Sequence, residues 1–181
     1  MTDIAFRDAA PADIPVLHRL IESAYRGEGS RAGWTTEADL LAGQRTDPDE
    51  LAAILADPDQ AMLTAWRDGD LVGSVLIANR GEETGYFGML SVSPTLQGAG
   101  LGRRLVEAAH AALSERFGAR RVRISVFPQR ETLIAWYRRL GYAPTGETLP
   151  FPYGDTRFGL PLRDDLHFIV MERTLAWGLC T

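Results

Sequence analysis

The 181-residue sequence contains a single cysteine, Cys180, next to its last residue. One cysteine excludes an intrachain disulfide and a zinc site built from cysteines. The sequence also lacks any run of about 18 apolar residues, the minimum for a membrane span, and its first residues lack the apolar stretch of a signal peptide. These absences favour a reducing compartment, so we expect a cytoplasmic protein with no membrane partner.

An excess of positive charge is also absent. Basic residues number 19 against 24 acidic residues, which gives a net charge of −5, and such a chain is not expected to bind nucleic acid through its overall charge. The three histidines, His18, His110 and His167, show no metal-ligand spacing such as HExxH. We therefore predict no nucleic-acid partner and no metal.

Hydrophobic residues make up 45% of the chain, enough for one domain with a buried core. Apolar spacing and turn residues predict an alternation of strands and helices. The first elements are a strand at 4–7, a helix at 9–27, a helix in TTEADLLAG (35–43), and a hairpin of AMLTAW and LVGSVLIA around Asp68-Gly69. A strand at 86–92, a helix from about Gln97 and a strand at 121–127 follow. The last elements are a helix in TLIAWYRRLGYAP that stops at Gly141 and strands to about 175.

This order predicts a mixed α/β sheet with helices on both faces. In the helix that begins near Gln97, 3.6-residue periodicity places two sets of side chains on opposite faces. The inward set is Leu101, Leu105, Ala109 and Ala112, and the other set is Arg103, Glu107, His110 and Ser114.

Three glycines at alternate positions, Gly98, Gly100 and Gly102, lie between the strand at 86–92 and this helix. The first turn of a helix presents unpaired N–H groups and partial positive charge, and glycine lets an anion approach them closely. The segment lacks the Gly-Lys of a P-loop, and Arg103 stands where a dinucleotide fingerprint needs its third glycine. Glycines that only allow close helix–sheet packing are the structural alternative.

The segment Gln97-Gly98-Ala99-Gly100-Leu101-Gly102 fits Q/R-x-x-G-x-G/A, and it resembles the pyrophosphate-binding motif of the GNAT superfamily of N-acetyltransferases. "YFGMLSVSP" before it and "LIAWYRRLGY" at 133–142 resemble further segments of that family. With the hairpin, the resemblance covers about residues 3–175. It implies a GNAT-like domain over 1–175 with a tail at 176–181, a mostly antiparallel sheet that splays between its fourth and fifth strands, and acetyl-CoA as cosubstrate.

The resemblance also assigns a cofactor site. It implies that the backbone of Leu90 and Val92 pairs with the pantetheine and that the segment from Gln97 through Gly98, Ala99, Gly100, Leu101 and Gly102 to Arg103 holds the pyrophosphate. Arg104 could add positive charge near the pyrophosphate, but a solvent-exposed arginine in the first turn of the helix explains it equally well. Gln129 and Arg130 stand near the position where the family often has an asparagine.

For catalysis, the resemblance places Tyr137 at the position of the family's tyrosine acid. The structural alternative is a tyrosine packed on the apolar face of its helix. No carboxylate lies on the strand at 86–92, so the candidates for the general base are Glu82, Glu83 and a water relay. Both glutamates are also explained as solvated charges of a hairpin. Cys180 lies outside every matching motif, and we expect direct transfer without a covalent acyl-enzyme.

Two segments are expected to define the acceptor, since the family uses its first interhelical loop and its last interstrand connection for this purpose. The first carries Arg26, Glu28, Arg31, Trp34 and Glu37, and the second carries Phe151, Tyr153, Asp155, Arg157 and Phe158. Carboxylates would suit an ammonium group and arginines a carboxylate. We predict a small-molecule amine acceptor. A protein lysine or N-terminus, a non-catalytic acyl-CoA-binding module, and loops that only pack on each other or at a homodimer contact are the alternatives.

Overall fold

The computed structural model describes residues 3–26, 30 and 36–176. The strands are β1 (Ala5–Asp8), β2 (Leu41–Ala42), β3 (Gln60–Arg67), β4 (Asp70–Asn79), β5 (Thr84–Val92), β6 (Arg121–Val126), β7 (Ala143–Pro150), β8 (Leu160–Pro161) and β9 (His167–Thr174). The helices are α1 (Ile14–Tyr25), α2 (Pro48–Ala56), α3 (Leu101–Phe117) and α4 (Glu131–Arg139).

Seven strands form one sheet in the order β1-β3-β4-β5-β6-β9-β7, and β2 pairs with β8 in a second, two-stranded sheet. All neighbours in the large sheet are antiparallel except β5 and β6. This parallel pairing joins only Thr84–Tyr86 to Arg121–Arg123, so the strands separate over the rest of β5. The predicted mixed, mostly antiparallel sheet is confirmed, and the splay lies between its fourth and fifth long strands.

Helices cover both faces because side chains alternate across each strand. On one face, Val75, Ile77 and Phe87 pack against the apolar side of α3. On the other, Met62 and Leu76 pack against α1 and α2. The sheet is therefore buried on both sides, with the splay opening along one edge of β5.

The predicted hairpin is confirmed, with β3 and β4 joined at Asp68-Gly69. Both turn residues have positive φ, 53° and 87°, which matches the primed turn that an Asp-Gly pair favours.

The helix predicted at TTEADLLAG is wrong for the described residues. Residues 38–40 form a turn, and Leu41–Ala42 is the short strand β2. Leu40 and Leu41 are buried with Phe127 and Phe151, so tertiary packing and pairing with β8 override the helical pattern. The helix of this region is α2, where Asp47 Oδ1 accepts the Glu50 N–H at 2.8 Å, a capping signal that our reading of the sequence overlooked.

Two details of the glycine-led helix differ from prediction. It begins at Leu101 rather than near Gln97, because Gly98 and Gly100 have φ of 85° and 83°, which an α-helix does not allow. His110, predicted on the polar face, is buried at 9% exposure. Leu101, Leu105, Ala109 and Ala112 face the core as predicted.

Apart from residue 176, the predicted tail at 176–181 lies outside the described residues, as do Cys180, Glu28, Arg31 and Trp34.

Candidate active site

A cavity of about 370 Å³ lies between the C-terminal half of β5 and the N-terminus of α3. Residues from β5, the glycine segment and α4 line it, namely Tyr25, Leu90, Val92, Gln97, Gly98, Gly100, Gly102, Arg103, Arg130, Leu133, Trp136, Tyr137 and Arg139. We call this cavity the cradle. Seven of the nine residues that we expected to bind the cofactor line the cradle, and only Ala99 and Leu101 do not.

The glycines leave the cradle open. A Cβ atom added to Gly98 or Gly100 would meet no atom within 4 Å. At Gly102 it would meet Trp136 at 3.7 Å and Val92 at 3.9 Å, which are ordinary van der Waals contacts. None of the three glycines is therefore needed for close helix–sheet packing, and this weakens the structural alternative. The first-turn amides of α3 point along the helix axis toward this open space.

The polar side chains at and near the cradle differ in their partners. Gln97 Nε2 donates to the Val92 carbonyl at 3.2 Å, while its buried Oε1 has no hydrogen-bond partner among the described residues. Arg103 is exposed and forms an ion pair with Glu107 at 2.9 Å. The Arg104 guanidinium lies 5.1 Å from the centre of the Phe6 ring and outside the cradle, which favours the structural interpretation of Arg104.

A bulge in β5 shapes the inner end of the cradle. Met89 has a φ of 48°, and the register between β4 and β5 shifts between Ser74 and Leu76. Leu90 follows the bulge and lies on the part of β5 that has no pairing with β6. Its carbonyl accepts a hydrogen bond from the Tyr25 hydroxyl at 3.0 Å. The splay therefore leaves room for an extended group along β5, as the resemblance implies.

Tyr137 lies between the cradle and a second cavity. Its side chain is 6% exposed and packs in an aromatic cluster, with ring centres 6.0 Å from Phe87, 5.0 Å from Trp136 and 5.8 Å from Tyr142. Burial raises the pKa of the Tyr137 hydroxyl well above its ordinary value, so the phenol stays protonated at neutral pH. Tyr137 packs in the core, as the structural alternative predicts, and it also lines both cavities, so its role as an acid stays a prediction.

The second cavity has a volume of about 460 Å³ and is lined by residues of β5, β6 and the two predicted specificity segments. We call it the acceptor cavity. It shares Tyr25, Leu90, Arg130, Leu133 and Tyr137 with the cradle. The two cavities therefore meet at the splay.

The specificity segments pack on each other and also line the acceptor cavity. Strands β2 and β8 pair, and the Leu162 N–H donates to the Leu40 carbonyl at 3.0 Å. From the second segment, Phe151 is buried and Phe158 is half exposed, and both line the cavity. The two segments therefore pack on each other and line the same cavity, and their role in acceptor specificity stays a prediction.

An ion-pair cluster forms one wall of the acceptor cavity. Glu37 Oε2 accepts from Arg26 at 2.7 Å, and Oε1 accepts from Arg130 at 3.0 Å. Burial alone would raise the pKa of the Glu37 carboxyl, but the positive charges of Arg130, Arg26 and Arg45 outweigh burial and hold that pKa below its ordinary value. Glu37 is therefore a structural anion and a poor base.

Several predicted residues lie outside both cavities. Glu83 pairs with Arg120 at 2.7 Å on the surface, and Glu82 lines a different depression beyond Tyr86. Asp155 and Arg157 pair with each other at 2.6 Å. These residues, together with Tyr153 and Gln129, do not line the acceptor cavity or the cradle.

The polar side chains at the site that were not predicted include Tyr25, Arg45, Arg80 and Arg139. Tyr25 has the apolar spacing of the helix at 9–27, and Arg139 lies in the segment "LIAWYRRLGY", where the resemblance points only to the tyrosine. Arg45 and Arg80 lie in loops where nothing in the local pattern indicates that they face a cavity.

The comparisons agree with this geometry. A family model described as "Acetyltransferase (GNAT) family" matches residues 19–142, and the chain belongs to this family. Mycothiol acetyltransferase of Cellulomonas flavigena is 33% identical in a match that covers 78% of this chain and 44% of that protein. The chain thus spans less than half of that relative.

Solved structures show the same fold at low identity. Ribosomal-protein-S18-alanine N-acetyltransferase from Escherichia coli has a TM-score of 0.69 at 16% identity, with 99% of both chains covered. An acetyltransferase from Salmonella typhimurium, solved with its cofactor acetyl-CoA, has a TM-score of 0.68 at 19% identity, with 96% of this chain and 94% of that chain covered.

Membrane-spanning helices and clusters of metal ligands are absent from the described residues. No helix there is both long and apolar enough to cross a bilayer. No three side chains of His, Cys, Asp or Glu within those ranges are grouped as metal ligands would be.

Proposed function

We propose that this protein is an N-acetyltransferase that transfers acetyl from acetyl-CoA to the amine of a small molecule by direct attack. The observation that carries the proposal is that the cradle and the acceptor cavity meet at Tyr137 and Leu90. Family membership supports an acyl transfer, and a structural neighbour solved with acetyl-CoA supports the cosubstrate. The domain that does this is proposed to span residues 1–175.

The cradle fits acetyl-CoA. Gly98 and Gly100 leave open space beside the first turn of α3, where N–H groups and the helix dipole favour a pyrophosphate. Arg103 and Arg139 add positive charge at its rim, and the edge of β5 at Leu90 and Val92, which is not paired with β6, leaves room for the pantetheine. When bound there, acetyl-CoA supplies a thioester carbonyl as the electrophile.

The acceptor must lose a proton before it attacks, because an alkyl ammonium has a pKa near 10.4. Arginines that line the acceptor cavity favour the neutral amine, since nearby positive charge lowers the pKa of an ammonium group. Glu82 and Glu83 lie away from this cavity, and Glu37 is held ionised by its arginines. We therefore propose that the proton leaves through water in the acceptor cavity.

We propose that Tyr137 donates a proton to the sulfur of the departing CoA. In the transfer, the N–C bond forms, the C–S bond breaks, and the thiolate takes up one proton. The raised pKa of Tyr137 keeps its O–H intact, so a donor stands where both cavities meet. Tyr25 also lines both cavities, but its hydroxyl donates to the Leu90 carbonyl.

A small molecule is preferred over a protein acceptor because the two segments that pair at β2 and β8 contribute Leu41 and Phe158 to the lining of the acceptor cavity. The match to mycothiol acetyltransferase agrees with a small-molecule acceptor. The Escherichia coli neighbour carries a protein substrate in its name, so protein amines belong in the test.

Tyr137→Phe with Tyr25→Phe as its matched control tests the mechanism. We expect Tyr137→Phe to lower kcat by about 100-fold while the Kd for acetyl-CoA stays within threefold, because the phenol acts on the transition state. Tyr25→Phe is expected to change kcat less than tenfold. Calorimetry gives the Kd, and thiol release with a panel of small amines and peptides gives kcat.

The outcomes separate the alternatives. A fall in kcat confined to Tyr25→Phe would move the acid role to Tyr25. Binding of acetyl-CoA with no thiol release from any amine would favour a non-catalytic acyl-CoA-binding module. The chain contains no lysine, so acetyl groups cannot accumulate on lysines of the enzyme itself in this assay.

A further inference from the structure

The acceptor cavity carries more positive than negative charge. Among its described lining residues are four arginines, Arg26, Arg45, Arg80 and Arg130, and two carboxylates, Glu37 and Glu50. This excess of two positive charges contrasts with the net charge of −5 of the whole chain. A cavity that receives only an ammonium group would be expected to have the opposite balance.

Both carboxylates that line this cavity already accept hydrogen bonds from neighbouring side chains. Both oxygens of Glu37 accept hydrogen bonds from arginines, one from Arg26 and one from Arg130. Glu50 accepts from the Thr46 hydroxyl at 2.6 Å. Neither carboxylate is therefore presented as an isolated partner for a cationic acceptor.

Arg45 differs from the arginines of that cluster. Within the ranges that the structure describes, no carboxylate oxygen lies within 4.0 Å of its guanidinium, as an ion pair requires. Its backbone is fixed, because its N–H donates to Glu22 Oε1 at 2.7 Å. Its guanidinium lies 5.2 Å from the centre of the Tyr25 ring. Since Tyr25 lines both cavities, this charge stands next to the point where acetyl transfer is proposed.

We propose that the acceptor amine belongs to a small molecule that also carries a carboxylate, and that Arg45 binds this carboxylate. The inference rests on the proposed function. A half-buried guanidinium held over an aromatic ring suits a planar carboxylate, to which arginine can donate two parallel hydrogen bonds. Arg80, stacked 4.9 Å from the centre of the Tyr86 ring at the exposed side, adds positive charge on the approach.

The apolar walls limit where the carboxylate can lie. Met89, Leu90 and Phe127 line the cavity and offer no hydrogen-bond donor from their side chains. The carboxylate is thus drawn to Arg45 and the amine is left near Tyr137. Amino acids and related amino carboxylates have this arrangement of groups.

Matched acceptors test the proposal. Each L-amino acid is compared with its C-terminal amide and with its decarboxylated amine, and phosphoethanolamine is compared with ethanolamine. Thiol release at saturating acetyl-CoA gives kcat/KM for each. We expect the best amino acid to exceed its amide by about 10- to 100-fold, the range for one charge-assisted hydrogen-bonded pair.

Arg45→Gln is expected to reduce this ratio of acid to amide to within about threefold, and Arg45→Lys is expected to restore part of it. Arg19→Gln removes the same charge from an exposed position on α1 outside the cavity, and it is expected to keep the ratio. The Kd for acetyl-CoA, measured for every variant, shows whether the fold and the cradle remain intact.

The possible results either support or overturn the inference. Equal or better turnover of the amides or of the decarboxylated amines by wild-type protein would overturn it, and so would a preference confined to phosphoethanolamine. A preference that persists in Arg45→Gln would remove Arg45 from the assignment. If acetyl-CoA fails to bind to wild-type protein, the proposed function itself is wrong, and this result is distinct from the others.

Discussion

His110 shows at the residue scale how burial controls ionisation. Its ring lies against the Tyr142 hydroxyl, with Nε2 and the phenol oxygen 2.5 Å apart. Burial, together with the positive charge of Arg173, lowers the pKa of His110 to about 4. A histidine that is neutral when folded but titrates near 6.5 when unfolded favours the unfolded state as the pH falls. Its contribution to stability is complete above about pH 6.5 and is lost toward pH 4.

We expect the free energy of unfolding of wild-type protein to decline between pH 7 and pH 5 by about 2 kcal/mol more than that of His110→Gln. The glutamine keeps a polar partner for Tyr142 and removes the titrating ring. Urea unfolding at several pH values measures the difference, in which the carboxylates common to both proteins cancel. Parallel pH profiles of the two proteins would show that His110 does not titrate in this range.

At the same scale, the sequence predicted some site residues better than others. Gly98 and Gly100 could be placed at a cradle because their spacing has a physical meaning at a helix start. Arg45 could not be placed, because its role depends on a bend of the chain that brings it over Tyr25. His110 was assigned to the wrong face, since its spacing fits the polar stripe and only Tyr142, 32 residues further on, explains its burial.

At the scale of elements, the contact between β2 and β8 depends on Gly159. Its φ is 95°, and an added Cβ would lie 2.9 Å from the Ala42 carbonyl oxygen. Gly154, in the same connection, has a φ of 88° and open space around the added atom. Substitution with alanine therefore strains the backbone at both positions, but only at Gly159 does the added Cβ clash with β2.

We expect Gly159→Ala to raise KM for the acceptor several-fold, because the clash separates β8 from β2 and disturbs the segment that carries Phe158. Gly154→Ala is expected to leave this KM within twofold. Each substitution also costs about 1 kcal/mol of stability through its positive φ. Steady-state kinetics and thermal melting measure both effects. Equal KM values in the two variants would show that the β2–β8 contact does not shape the acceptor cavity.

The same pair of strands explains the main error in predicted elements. TTEADLLAG has the composition and spacing of a helix, but Leu41–Ala42 finds its partner about 120 residues later in Leu160–Pro161. A pairing at that separation leaves no local signal. The Asp-Gly hairpin, in contrast, is set by neighbouring residues, and its strands were placed within a few positions.

At the scale of the whole molecule, the neighbouring strands of the sheet stay paired except where β5 and β6 separate. The order of predicted elements gave the fold class and the resemblance added the splay, whereas the arrangement of the seven strands in the sheet was not predicted. The splay has a local cause that the sequence did not show, because parallel pairing stops after Tyr86 and the bulge at Met89 follows. The edge of β5 beyond that point is the part of the sheet that has backbone groups to offer a ligand.

Hydrogen exchange of the intact protein tests this arrangement. In free protein we expect amides of residues 87–103 to exchange faster than those of the β3–β4 ladder, because residues 87–92 are paired with β4 but not with β6 and residues 93–100 belong to no strand. Saturating acetyl-CoA should slow exchange in this segment by about tenfold or more and leave the β7–β9 ladder unchanged. Gly102→Glu is the matched control, since Gly102 has no positive φ and a carboxylate there would repel the pyrophosphate. Protection that arises elsewhere, or that persists in Gly102→Glu, would contradict the cradle assignment.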